Sequence, residues 1–85
     1  MMQKKGQLIK DILYYQKNMW KWGVVFNADV GADFVVGYCY DPKSELWMTY
    51  ENWERGGRSK LFFETEEEAL ENLLDLARYH YRTEF

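Results

Sequence analysis

The chain of 85 residues holds one cysteine, one histidine and one proline, and none of its apolar runs approaches the length of a membrane span. Each scarcity excludes something. A lone Cys39 cannot close an internal disulfide, which fits a reducing cytoplasm. One Cys with one His cannot make a zinc set. A basic start followed by QLIKDILYY is broken by Lys10 and Asp11, so a secretory signal is not expected. Without a membrane span, a soluble protein is expected. The length bounds the chain to one domain over residues 1–85, near the size at which only about 60% of the unfolded surface can be buried.

Aromatic residues compensate for the small size. They form 19% of the chain, and each Phe, Tyr or Trp carries about 150–250 Å² of buriable surface. Net charge is −3, unevenly spread: residues 1–40 hold five Lys against three Asp, and residues 41–85 hold six Lys or Arg against eleven Asp or Glu. Such a surface disfavours phosphate backbones and favours a basic protein partner, because complementary potentials speed encounter; no membrane partner is expected.

Leu8, Ile12, Tyr15 and Met19 recur at helical spacing and predict an amphipathic first helix. From Trp20 the period becomes two, predicting a strand through Phe26 that the turn-rich NADVGAD ends. DFVVGYCY and ELWMTYENW read as further strands separated by the Asp41-Pro42-Lys43-Ser44 turn, and RSKLFFE as a fourth after Gly56-Gly57. Thr65 with Glu68 forms a capping box for a last helix whose apolar stripe is Leu70, Leu73, Leu74, Ala77 and Tyr81. The expectation is an α+β fold of order αββββα: a four-stranded antiparallel meander with the N- and C-terminal helices on one face. Met48 and Tyr50 are expected to face the helices, which leaves Trp47, Glu51, Trp53 and Phe62 on an open face.

Chemistry finds little support in the pattern. His80 falls in the last turn of the final helix and reads as a surface residue complementing the helix dipole. Cys39 lies inside a strand with no histidine near it in sequence and reads as buried and inert. Asp29, Gly31 and Asp33 lack the later ligands of a calcium loop, and Gly56-Gly57-Arg58 lacks the ending and strand context of a phosphate loop. No cofactor and no metal are expected, and the protein is not expected to be an enzyme. Trp53 among Glu51, Asn52, Glu54 and Arg55 has the composition of a binding hot spot. Trp47, Tyr50, Glu51, Trp53, Glu54 and Arg55 are therefore the candidate partner-binding residues. An accessory domain binding another protein, or single-stranded nucleic acid through an open aromatic sheet face, is the alternative. An unpaired edge strand leaves a homodimer open as well.

The run YDPKSELWMTY, then Glu54-Arg55-Gly56, a strand ending in Phe63 and a glutamate-rich helix start with Ala69 resembles the small immunity proteins of bacterial polymorphic-toxin and contact-dependent growth inhibition systems. The similarity spans residues 34–77. It implies a non-enzymatic cytoplasmic antidote that binds one cognate toxin domain, often a nuclease, and blocks its active or substrate-binding surface.

Overall fold

A computed structural model describes residues 3–84. Its elements run α1 (Gln3–Asn18), β1 (Gly23–Phe26), β2 (Val35–Asp41), β3 (Leu46–Asn52), β4 (Arg58–Phe63) and α2 (Glu66–Glu84), with a single 3₁₀ turn at Glu54–Gly56 between β3 and β4. The four strands form one sheet in sequence order. This is the α+β, αββββα arrangement that the change of periodicity predicts. Among the described residues no helix is long and apolar enough to cross a membrane.

One pairing departs from the meander. β2–β3 and β3–β4 are antiparallel, but β1 and β2 run parallel, with Gly23 beside Val35 and Phe26 beside Tyr38. Residues 27–34 do not fold as a hairpin; they carry the chain from the end of β1 back to the level of its start. Left-handed backbone at Asn27 and Phe34 bends the segment at each end. Parallel connections normally need a dozen residues or more to return along the first strand; β1 has only four, and the backbone of its short return still needs hydrogen-bond partners. Here distant side chains provide them. Tyr50 Oη donates to the Ala28 carbonyl at 2.6 Å and accepts from the Val30 N–H at 3.3 Å. Asn52 Nδ2 donates to the carbonyls of Val30 and Ala32, each at 2.9 Å. Arg58 donates to Asn52 Oδ1 at 2.7 Å and to the Val30 carbonyl, and pairs with Asp29 at 2.8 Å.

The crossover also reverses the expected faces of β3. Val24, Val36 and Tyr38 point to the helices and join Leu8, Ile12, Leu70, Leu73, Leu74 and Ala77 in the main core, with Trp47 packed against it. Thr49, the next residue on that face, donates to Asn72 Oδ1 of α2 at 2.7 Å. Met48 and Tyr50 lie on the opposite face, in a second small cluster with Cys39, Val30 and Val35 beneath the crossover. β3 carries apolar residues on both sides, so its alternation alone cannot choose a face. The Tyr50 hydroxyl chooses, because its partners lie only under residues 28–30.

The capping box forms as expected. Glu68 N–H donates to Thr65 Oγ1 at 3.1 Å, and Thr65 N–H reaches back to Glu68 Oε1 at 3.2 Å. Beside it, Tyr38 Oη donates to Glu66 at 2.9 Å and Lys5 pairs with the same carboxylate at 2.8 Å. Burial, then the bond to Glu66, pushes the Tyr38 phenol up to about 12, so it remains a donor across the ordinary pH range. This linkage joins α1, β2 and α2.

Candidate functional site: an aromatic groove where the chain ends meet

α1 ends at Asn18, and the turn after it presents three consecutive backbone donors. They converge on one side chain: the Glu84 carboxylate, in the last turn of α2, accepts from the N–H groups of Trp20, Lys21 and Trp22 at 2.9, 3.0 and 2.8 Å. A carboxylate held by several amides is a charge-assisted contact, stronger than a neutral hydrogen bond. It fastens the entry to β1 onto the end of α2.

That fastening sets Trp22 against His80. Both are buried, and their rings stack with centroids 3.6 Å apart and planes 17° from parallel. His80 Nε2 lies 2.5 Å from Glu51 Oε2 on β3. With the carboxylate accepting, Nε2 carries the ring proton. Trp53 completes the group by setting its ring edgewise to both, 5.0 Å from Trp22 and 5.1 Å from His80. Tyr79 meets His80 from the other side at 5.1 Å. Around this buried stack three aromatic rings remain open to solvent: Trp20 is 74% exposed, Tyr79 51% and Trp53 39%. They line a groove of about 400 Å³ together with Trp22 and His80 of the stack and Lys21, Thr83 and Glu84.

Trp53 is also a wall of a second groove, about 260 Å³, formed with Gly31, Asp33, Asn52, Gly56, Gly57 and Arg58. The backbone beyond Trp53 is tightly turned. Trp53 N–H donates to the Gly57 carbonyl at 2.7 Å, and Arg55 N–H donates to Asp33 Oδ2 at 3.3 Å. Arg55 itself has φ 60° and ψ 36°, a left-handed conformation that costs a non-glycine residue about 1–2 kcal/mol. Glu54 and Arg55 both project into solvent.

The six sequence candidates therefore divide. Trp53, Glu54 and Arg55 are exposed beside one another at the tip of the β3–β4 hairpin. Glu51 faces the helices and holds His80 rather than standing on an open face. Trp47 is half-buried, its ring stacked on Tyr38 at 5.9 Å. Tyr50 is buried on the far side of the sheet as the anchor of the crossover. The expectation of a surface His80 is corrected by its 1% exposure. The α2 stripe carried the signal, since Ala77 plus three positions falls on the inner face. Trp20, Trp22 and Tyr79 were missed because they reach the groove from opposite ends of the chain.

Cys39 is buried and free; burial pushes its thiol up, with the carboxylates of Asp29 and Asp41 adding to the effect. Among the described residues no group of three or more His, Cys, Asp or Glu is placed to hold a metal ion. No protein-family model, curated protein or solved structure matches this chain.

Proposed function

We propose that the protein is a non-enzymatic immunity protein, acting in the cytoplasm, that binds a cognate bacterial toxin domain and neutralises it by covering the surface its substrate needs. The observation that carries this reading is the groove itself: three exposed aromatic rings, of which Trp53 and Tyr79 pack edgewise on His80 of the Trp22–His80–Glu51 group. Aromatic side chains are the residues in which interface energy concentrates, and those already packed against neighbours, as Trp53 and Tyr79 are, lose less entropy on binding. Glu54 and Arg55, exposed at the hairpin tip next to Trp53, would supply a polar rim to such a contact.

The excess of acid over base favours a basic partner, as a nuclease domain must be in order to hold phosphate. His80 supports the same reading, since its Nε2 is committed to Glu51 and its ring lies against Trp22, an arrangement suited to supporting a surface. The alternative of nucleic acid on an open sheet face has less support, because α2 lies over one side of β2 and β3 and the crossover covers the Tyr50 end of the other.

Co-expression with candidate nuclease toxin domains, starting with any encoded next to this protein's gene, tests the proposal. Trp53→Ala and Trp20→Ala should each weaken binding by about 2 kcal/mol, roughly thirtyfold, and reduce protection, while circular dichroism remains that of the parent. Glu54→Arg should act mainly on association rate and salt dependence. Full protection by both tryptophan variants would reject the groove as the contact surface.

A further inference from the structure

β4 is the last strand in the sheet, and among the described residues no strand lies outside it. The alternation of an antiparallel ladder determines which of its groups are unpaired. Trp53 N–H donates to the Gly57 carbonyl, and Asn52 is the Cα partner of Arg58. Counting from there, Ser59, Leu61 and Phe63 turn their N–H and C=O groups toward β3, while Arg58, Lys60 and Phe62 turn theirs outward. Leu61 and Phe62, adjacent on this edge, are 52% and 44% exposed. Such an edge is a template for another strand unless something guards it.

Lys60 would be a common guard, but the residue after β4 supplies its opposite. Lys60 and Glu64 are both exposed, and neither forms an ion pair with another described residue. The two-fold antiparallel registers that bring outward-facing residues together include those centred on Lys60, Leu61 and Phe62. An axis at Lys60 sets like charges face to face. An axis at Leu61 sets Arg58 against Glu64, yet the Arg58 guanidinium is already engaged by Asp29, Asn52 and the Val30 carbonyl. An axis at Phe62 pairs the two Phe62 rings, brings Leu61 against Phe63 on the opposite face, and sets Lys60 of each copy opposite the bend in which Glu64 of the other follows β4. Opposite charges and aromatic pairs directly across a ladder each stabilise it by about 0.2–1 kcal/mol.

We infer that two copies of this chain pair through β4 about a two-fold axis at Phe62, joining their sheets into one continuous eight-stranded sheet. The aromatic groove lies at the Trp20, Trp53 and Tyr79 end of the molecule, so the pairing is independent of the toxin-binding proposal.

Sedimentation equilibrium from micromolar to millimolar protein tests the inference. The parent should show a monomer–dimer equilibrium. Lys60→Glu and Glu64→Lys should each weaken it by about tenfold, and the double swap should restore it, because the two pairs are rebuilt with reversed sign. Phe62→Pro removes an outward N–H that β3 does not use, and should give a monomer whose circular dichroism remains that of the parent. A parent that stays monomeric at millimolar concentration overturns the inference. So does a dimer that neither Lys60→Glu nor Phe62→Pro weakens, since its interface must then lie elsewhere.

Discussion

Gly37→Ala places one methyl group where the crossover is anchored. Gly37 lies opposite Tyr50 in the β2–β3 register. A Cβ there would sit 2.5 Å from Tyr50 Oη, 2.6 Å from its Cζ and 2.9 Å from the Val25 carbonyl oxygen of β1. No real Cβ contact tolerates 2.5 Å to a heavy atom, so something must move. The Val25 oxygen belongs to the neighbouring strand. The Tyr50 ring is 1% exposed, its hydroxyl held by Ala28 and Val30 and its face covered by the Arg58 guanidinium at 4.6 Å. The ring is the part able to swing out, and it must release both hydrogen bonds to do so.

Those two bonds are worth about 1 kcal/mol each, and re-exposing much of the ring costs about 2 kcal/mol more. The lower chain entropy of the unfolded alanine variant returns about 0.5–1 kcal/mol. The net loss is about 3 kcal/mol, against a total stability of about 4–13 kcal/mol for a chain of this length. Urea denaturation followed by circular dichroism should show that loss, with a fall in melting temperature of about 15 °C. The near-ultraviolet signal should change as Tyr50 leaves its site. In a Tyr50→Ala background the same methyl should cost much less, because only the Val25 carbonyl oxygen at 2.9 Å still opposes it. A Gly37→Ala protein as stable as the parent would refute the reasoning, and so would a full cost persisting without Tyr50.

Arg55→Gly relieves a left-handed backbone and should stabilise the fold by about 1 kcal/mol while lowering toxin affinity if the guanidinium contacts the partner; thermal melts and a binding isotherm read the two effects separately. Thr65→Ala removes the cap of α2 and should cost about 1 kcal/mol in a denaturant titration. Glu66 responds to acid. Burial alone would raise its carboxyl, but the hydrogen bonds from Lys5 and Tyr38 and the Lys5 charge outweigh it and hold the group below its usual 4.5. A depressed carboxyl stabilises the fold above its unfolded value and loses that contribution as pH falls through the folded one. Melting temperature should therefore drop below about pH 4.5, and Glu66→Gln should flatten that part of the curve.

The sequence alone determined the elements whose causes are local. The stripe from Leu8 to Met19 makes α1, and Thr65 with Glu68 starts α2 where the capping box says it must. The switch to period two locates the strands, and Trp53, Glu54 and Arg55 reach the surface because Gly56 and Gly57 turn the chain beside them. Tertiary structure decided what depends on distant partners. The parallel β1–β2 pair exists because Tyr50, Asn52 and Arg58 satisfy the backbone of residues 28–32. No pattern within NADVGAD announces those donors. The same contact chose the face of β3, where apolar side chains on both sides left the alternation ambiguous. The groove is likewise non-local: Trp20 and Trp22, Glu51 and Trp53, Tyr79 and His80 meet because Glu84 closes on the amides of residues 20–22 and Glu51 holds His80 beneath Trp22. A surface assembled from three separated segments has no period in the sequence to reveal it, because its cause is packing between elements rather than order within one.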